Sequence, residues 1–171
     1  NWISKENNLD VSNQMTAAAL ALGIYYYWTK NELFKKLCMN KFEKIISLQD
    51  KSGFFPEYGG FDIGYQSITL GLLCKLSNYF SDGRIQELIK KGMKFLESHI
   101  KDDGTFDNSD TSRKTQYIYP SSIAFMRSPA LSKNLKGLSN NLIMNPYWFD
   151  DRYVIPVTID YLETHLIMSK L

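Results

Sequence analysis

Hydrophobic positions along this chain alternate between two kinds of segment. Residues 11–28 (VSNQMTAAALALGIYYYW) are apolar almost all round after Gln14, the pattern of a helix buried on every side. Ser12 or Asn13 can cap its start. Residues 31–49 differ: Phe34, Leu37, Cys38, Phe42, Ile45 and Ile46 keep a 3.6-residue period, with Lys35, Lys36, Lys41, Glu43 and Lys44 around them. That predicts an amphipathic outer helix. The pair then recurs. Residues 65–80 are again mostly apolar, and 83–100 place Ile85, Leu88, Ile89, Met93, Leu96 and Ile100 on one stripe. A third pair is expected as an inner helix over 116–127, stopped by Pro129, and an outer helix over 131–144. A seventh helix over 154–170 would hold Pro156 in its first turn, where proline is tolerated.

Landmarks repeat with the helices. Gln14, Gln66 and Gln116 stand at or near the starts of the three inner segments, 52 and 50 residues apart. Gly53–Phe55 and Gly104–Phe106 mark Gly-x-Phe turns 51 residues apart. A repeat of this length predicts stacked units. The fold class is therefore all-α: about three and a half helical hairpins, apolar helices inside and amphipathic helices outside. Gly53 and Gly104 suit the left-handed backbone that ends a helix, with Phe55 and Phe106 folding back onto the core. Inner-to-outer links are short and outer-to-inner links are long. The long links, about 50–64, 101–115 and 145–153, gather on one face, where function is expected.

Composition narrows the options. At 171 residues with 44% hydrophobic and 22% charged, residues 1–171 read as a single globular domain. A net charge of +2 without a dense basic run argues against a nucleic-acid partner. The longest apolar run, Ala17–Trp28, is too short for a transmembrane segment. Cys38 and Cys74 fall at apolar helix positions and read as free buried thiols. Two dispersed histidines and two dispersed cysteines form no metal set, and no cofactor is expected. The chain starts at Asn1 rather than Met, so it reads as a portion of a longer protein, and no compartment is assigned.

The phrase QDKSGFFPEYGGFDIGYQSITLGLL, followed by KDDGTF and SRKTQYIYP, resembles α/α-toroid proteins, which are rings of helical hairpins. Gln49-x-x-x-Gly53-x-Phe55 is similar to the Q-x-x-x-G-x-W turn of terpene-cyclase toroids, with Phe in place of Trp. The wider phrase with YGGFDIGYQS looks closer to the toroid domains of heparinase II/III-like polysaccharide lyases and their relatives. The resemblance spans roughly residues 11–165 and implies an incomplete toroid, completed by the remainder of the same chain or by a protein partner. It also implies a carbohydrate-active or carbohydrate-binding domain, with an acidic poly- or oligosaccharide as ligand and lyase-like chemistry if catalytic.

Residues on the long-loop face fit that expectation. Four of the 20 basic residues are arginine, and two of them, Arg113 and Arg152, precede inner helices. Arginine holds a carboxylate or phosphate at two points. Tyr65 and Tyr119, with Arg113, are the candidate catalytic set: a tyrosine moves the proton beside a uronate carboxylate while its charge is neutralised. Asn13, Gln14, Tyr58, Asp62, Gln66, Gln116, Trp148 and Arg152 are the candidate substrate-binding set. Each has a plainer structural reading, the glutamines as helix-start or interhelical hydrogen bonds and the tyrosines as half-buried rim. Neither His99 nor His165 is placed on the loop face, although lyases of the resembled type use a histidine beside the tyrosine. A hydrolase would need facing carboxylates, for which Glu57, Asp62, Asp150 and Asp151 are available. Two further readings stay open. One is a non-catalytic helical scaffold or partner-binding module. The other is an isoprenoid-type toroid enzyme, for which the chain supplies aromatics but no acidic cluster.

Overall fold

The apolar and amphipathic segments form helices as their periodicity requires. The computed structural model describes residues 2–144, 147 and 151–170, and its regular elements are all helical. They are α1 (Trp2–Lys5), α2 (Ser12–Thr29), α3 (Glu32–Leu48), α4 (Ile63–Ser77), α5 (Gly83–His99), α6 (Ser121–Phe125), α7 (Ala130–Ser139) and α8 (Asp151–Met168). Contacts run α2 to α4, α4 to α6 and α6 to α8, with α3 on α2, α5 on α4 and α7 on α6. This is the expected hairpin array. The core lies between the two rows, with Phe42, Ile45, Leu70, Leu73, Ile89 and Leu96 fully buried. Each such side chain contributes roughly 1.5–3 kcal/mol by leaving water. Cys38 and Cys74 are free and buried. No helix is long and apolar enough to cross a membrane among the described residues.

The two Gly-x-Phe turns repeat down to their hydrogen bonds. In the first, Asp50 N donates to Phe54 O and Gly53 N to Asp50 O; in the second, Lys101 N donates to Thr105 O and Gly104 N to Lys101 O. Gly53 (φ 110°) and Gly104 (φ 86°) have positive φ. A Cβ at either would strike the backbone of the next outer helix, at the Lys91 and Lys133 carbonyls respectively. Glycine is thus required twice over, by backbone conformation and by close packing. Phe55 is buried in the core, and Phe106 packs against its edge.

The third hairpin departs from the expected pattern. Residues 116–119 carry no regular structure, and the inner helix is only Ser121–Phe125 rather than 116–127. Pro120 lacks an N–H and disfavours helical backbone at Tyr119. Side chains of the second hairpin take up the freed amides: Thr115 N donates to Asp62 Oδ2 (3.1 Å) and Tyr119 N to Ser67 Oγ (2.9 Å). Gly64, Ser67 and Gly71 give α4 a low face on which this segment lies. A Cβ on Gly64 would collide with Thr115 and the Tyr117 carbonyl, and one on Gly71 would meet Ser121 Oγ at 3.2 Å. The buried carboxylate of Asp160 on α8 then starts α6, accepting from Ser121 N (2.8 Å) and Ser121 Oγ (2.6 Å).

Two boundaries also shift. The outer helix α7 ends at Ser139, before the positive-φ Asn141. Helix α8 begins at Asp151, so Pro156 stands in its second turn and leaves one backbone bond unmade.

Candidate functional site

Three loop segments meet beside the starts of α2 and α4. Residues 57–60 (Glu-Tyr-Gly-Gly) form a tight turn closed by Glu57 N donating to Gly60 O at 2.8 Å. The turn is fastened to the segment before α2 by Tyr58 N donating to Asp10 O (2.7 Å) and by bridge pairing of Glu57 with Val11. Its central residues, Tyr58 (φ 51°) and Gly59 (φ 80°), both have positive φ. Glycine accepts this without cost; a tyrosine there stores roughly 1–2 kcal/mol of strain. The strained residue projects an exposed ring under Arg113.

Arg113 sits between two tyrosines. Its guanidinium carbon is 4.7 Å from the Tyr58 ring centroid and 5.2 Å from that of Tyr65. Its Nη2 donates to Tyr65 Oη at 3.4 Å. No carboxylate lies within ion-pairing distance of it among the described residues. The cation is therefore held by ring faces and a phenol, without an ion-pair partner among the described residues. Beside it is an open hollow of about 260 Å³ lined by Tyr65, Arg113, Thr115, Gln116, Tyr117 and Tyr153. Small-molecule pockets usually start near ~300 Å³, so this hollow suits a single ring-sized group. Tyr153 also hydrogen-bonds Tyr65.

Beneath the rim lie two buried carboxylates, Glu57 and Asp62. Glu57 accepts from Asn13 Nδ2 at 2.8 Å, and the residue is 2% exposed. Burial pushes its carboxyl up to about 7, against the pull of the Asn13 hydrogen bond and the Arg113 charge, with the negative charge of Asp62 adding to the rise. A carboxyl poised near neutrality can both give and take a proton. Burial also raises the Tyr65 phenol, helped by its hydrogen bond to Tyr153 and opposed by Arg113. Tyr119 is raised by burial first and then by Asp160.

Of the sequence-derived candidates, Tyr65, Arg113, Tyr58, Gln116 and Asn13 meet here. Gln116 donates to Lys114 O (3.0 Å) from an irregular segment, not a helix start. Tyr119 lies deeper, between α4 and α8, beside Asp160 and Pro156. Asp62 is 1% exposed and engaged within the protein: Oδ1 accepts from Tyr65 N, Oδ2 from Thr111 Oγ1 and Thr115 N. Gln66 is likewise internal, accepting from Phe55 N and donating to the Gly53 and Gly92 carbonyls. Gln14 faces a different hollow, with Asn8 and Lys41. Trp148 and Asp150, and the side chains of Asp151 and Arg152, lie outside the described residues. His99 is held among the Phe61 and Phe95 rings with Nδ1 on the Phe95 carbonyl.

Sequence reasoning offered Glu57 only as half of a hydrolase pair. Its link to Asn13, 44 residues away, gave no local signal. No group of His, Cys, Asp and Glu suited to a metal occurs among the described residues. Comparison with protein-family models, curated proteins and solved structures finds no match.

Proposed function

We propose that this long-loop face binds an anionic saccharide, one acidic sugar residue seating in the hollow between Tyr65, Gln116 and Tyr153. The observation that carries this reading is the Arg113 guanidinium, stacked between Tyr58 and Tyr65 and without a carboxylate partner among the described residues. A planar cation held this way can grip a ligand carboxylate at two points. The flanking tyrosine rings supply flat apolar surface for a sugar face. Glu57 lies close enough to feel the Arg113 charge and is the group with proton-transfer capacity near neutral pH. A lyase-like or glycoside-processing step would use Tyr65 or Glu57 as the proton-transfer group.

Calorimetric titration with a uronate-containing oligosaccharide, and with a neutral oligosaccharide of equal length, tests this. The acidic ligand is expected to bind and the neutral one to bind at least tenfold more weakly. Arg113→Ala should remove about 1.5–3 kcal/mol of binding, the worth of a charge-assisted hydrogen-bond pair. Equal binding of both ligands, or an Arg113→Ala chain that binds as the parent does, refutes the reading. If neither ligand binds, the scaffold reading takes its place, and it has an observation of its own. Ile155, Ile159, Leu162 and Leu166 form an exposed apolar row on α8, opposite its packed face.

A further inference from the structure

At the end of the array away from this site, the first hairpin turns through an aromatic tip. Trp28 is 77% exposed, and Tyr25, Tyr27 and Leu33 are about half exposed around it. The rings form two groups, Tyr27 with Trp28 and Tyr79, and Tyr25 with Phe34. Tyr27 meets Trp28 edge-on at 5.7 Å and Tyr79 of the neighbouring hairpin at 5.3 Å, while Tyr25 packs on Phe34 at 4.4 Å. Lysines are set among the rings: Lys30 Nζ lies 4.4 Å over Tyr27, and Lys35 Nζ 5.5 Å over Tyr26. Lys36 is exposed one turn along α3. Acid at the tip is already engaged. Glu32 pairs with Lys35 at 3.6 Å, and Asp82 with Arg84 at 2.8 Å. Exposed apolar surface of this kind marks a contact site.

We propose that this tip is a membrane-docking surface that seats on a bilayer containing anionic phospholipid. Trp and Tyr favour the boundary between headgroups and acyl chains, where the ring is buried and its polar edge stays wet. Lysines at that depth keep their ammonium groups hydrated and meet lipid phosphates. A protein partner fits less well, because the centre of a protein interface is depleted of lysine, whereas Lys30 stands directly on the Tyr27 ring. The surface combines two weak signals, inserted aromatics and local positive charge, and neither anchors a protein alone. Docking this way would hold the Arg113 site away from the bilayer by the length of α2, 18 residues or about 27 Å.

Co-sedimentation of the chain with vesicles tests this, using phosphatidylcholine alone and phosphatidylcholine mixed with phosphatidylserine. Binding is expected only to the mixed vesicles. Trp28→Ala should weaken it several-fold, and the double variant Lys30→Glu/Lys35→Glu more than about tenfold. A second double variant, Lys90→Glu/Lys94→Glu, makes the same charge change on α5 and should retain most of the binding. Circular dichroism melting confirms that each variant is folded, as these side chains are exposed. The proposal is overturned if the chain does not sediment with the mixed vesicles, or if both double variants lose binding equally, which means adsorption by net charge. It is equally overturned if Trp28 is needed for self-association in solution scattering while vesicle binding is unchanged by its loss.

Discussion

Gln66 is where the molecule's repeating glutamines part company, and replacing it with leucine measures the difference. The side chain is 1% exposed and makes three hydrogen bonds: it accepts from Phe55 N (2.9 Å) and donates to the Gly53 and Gly92 carbonyls (both 3.2 Å). Leucine fills nearly the same volume and supports none of them. Phe55 N would be left buried and unpaired, at about 1–3 kcal/mol. The carbonyls fare better, since Gly53 O keeps the bond from Gln49 Nε2 (3.1 Å), so each lost donor costs about 0.5–1.5 kcal/mol. The easier burial of leucine offsets part of the sum. The expected loss is about 3 kcal/mol, a large share of the roughly 5–15 kcal/mol that holds a domain folded. Gln14→Leu and Gln116→Leu, at exposed positions, should stay within about 0.5 kcal/mol of the parent. Urea unfolding of the four proteins, with equal slopes as a check on the unfolded state, decides the matter. If Gln66→Leu shifts stability no more than the other two, the hydrogen-bond accounting is wrong.

Two further outcomes follow from the geometry. Glu57 holds its proton to about pH 7 in the folded state against 4.5 ordinarily, so the folded state binds more protons across that window and stability contributed by this group falls as pH rises through it. Glu57→Gln should remove that slope, and urea midpoints of the two proteins that run parallel from pH 4.5 to 7 would refute the shift. Gly104→Ala, which forces a Cβ onto a positive-φ backbone against the Lys133 carbonyl and Gly137, should cost about 2 kcal/mol or more, while Gly83→Ala, whose Cβ meets nothing within 4 Å, should be near neutral; similar melting temperatures for the two would count against the packing argument.

Periodicity made α2 through α5 legible because their packing faces are local and regular. It fails at 116–127, where the apolar residues predict an inner helix. The signal against a helix is present in Pro120, and what holds the irregular segment lies elsewhere, in the Gly64, Ser67 and Gly71 spacing on α4. The repeat marks the long-loop face but cannot say which glutamine is buried, since burial depends on neighbours 11 to 26 residues away, Phe55, Gly53 and Gly92. Arg113, Tyr58 and Tyr65 were each legible as loop-face candidates. Their stacking was not, because it depends on a positive φ at Tyr58 and on a contact spanning 48 residues.

The buried carboxylate of Asp62 has a consequence for how the site would respond to a ligand. By tying Thr111 and Thr115 to the start of α4, it brackets Arg113 on both sides with fixed backbone. The conformational entropy of that loop is lost when the chain folds, not when a ligand arrives. Ordering it at the moment of binding would subtract about 1–2 kcal/mol per backbone residue from affinity. With the loop already set, selectivity at Arg113 rests on the shape and charge of what enters, and the free and occupied sites are expected to share one backbone.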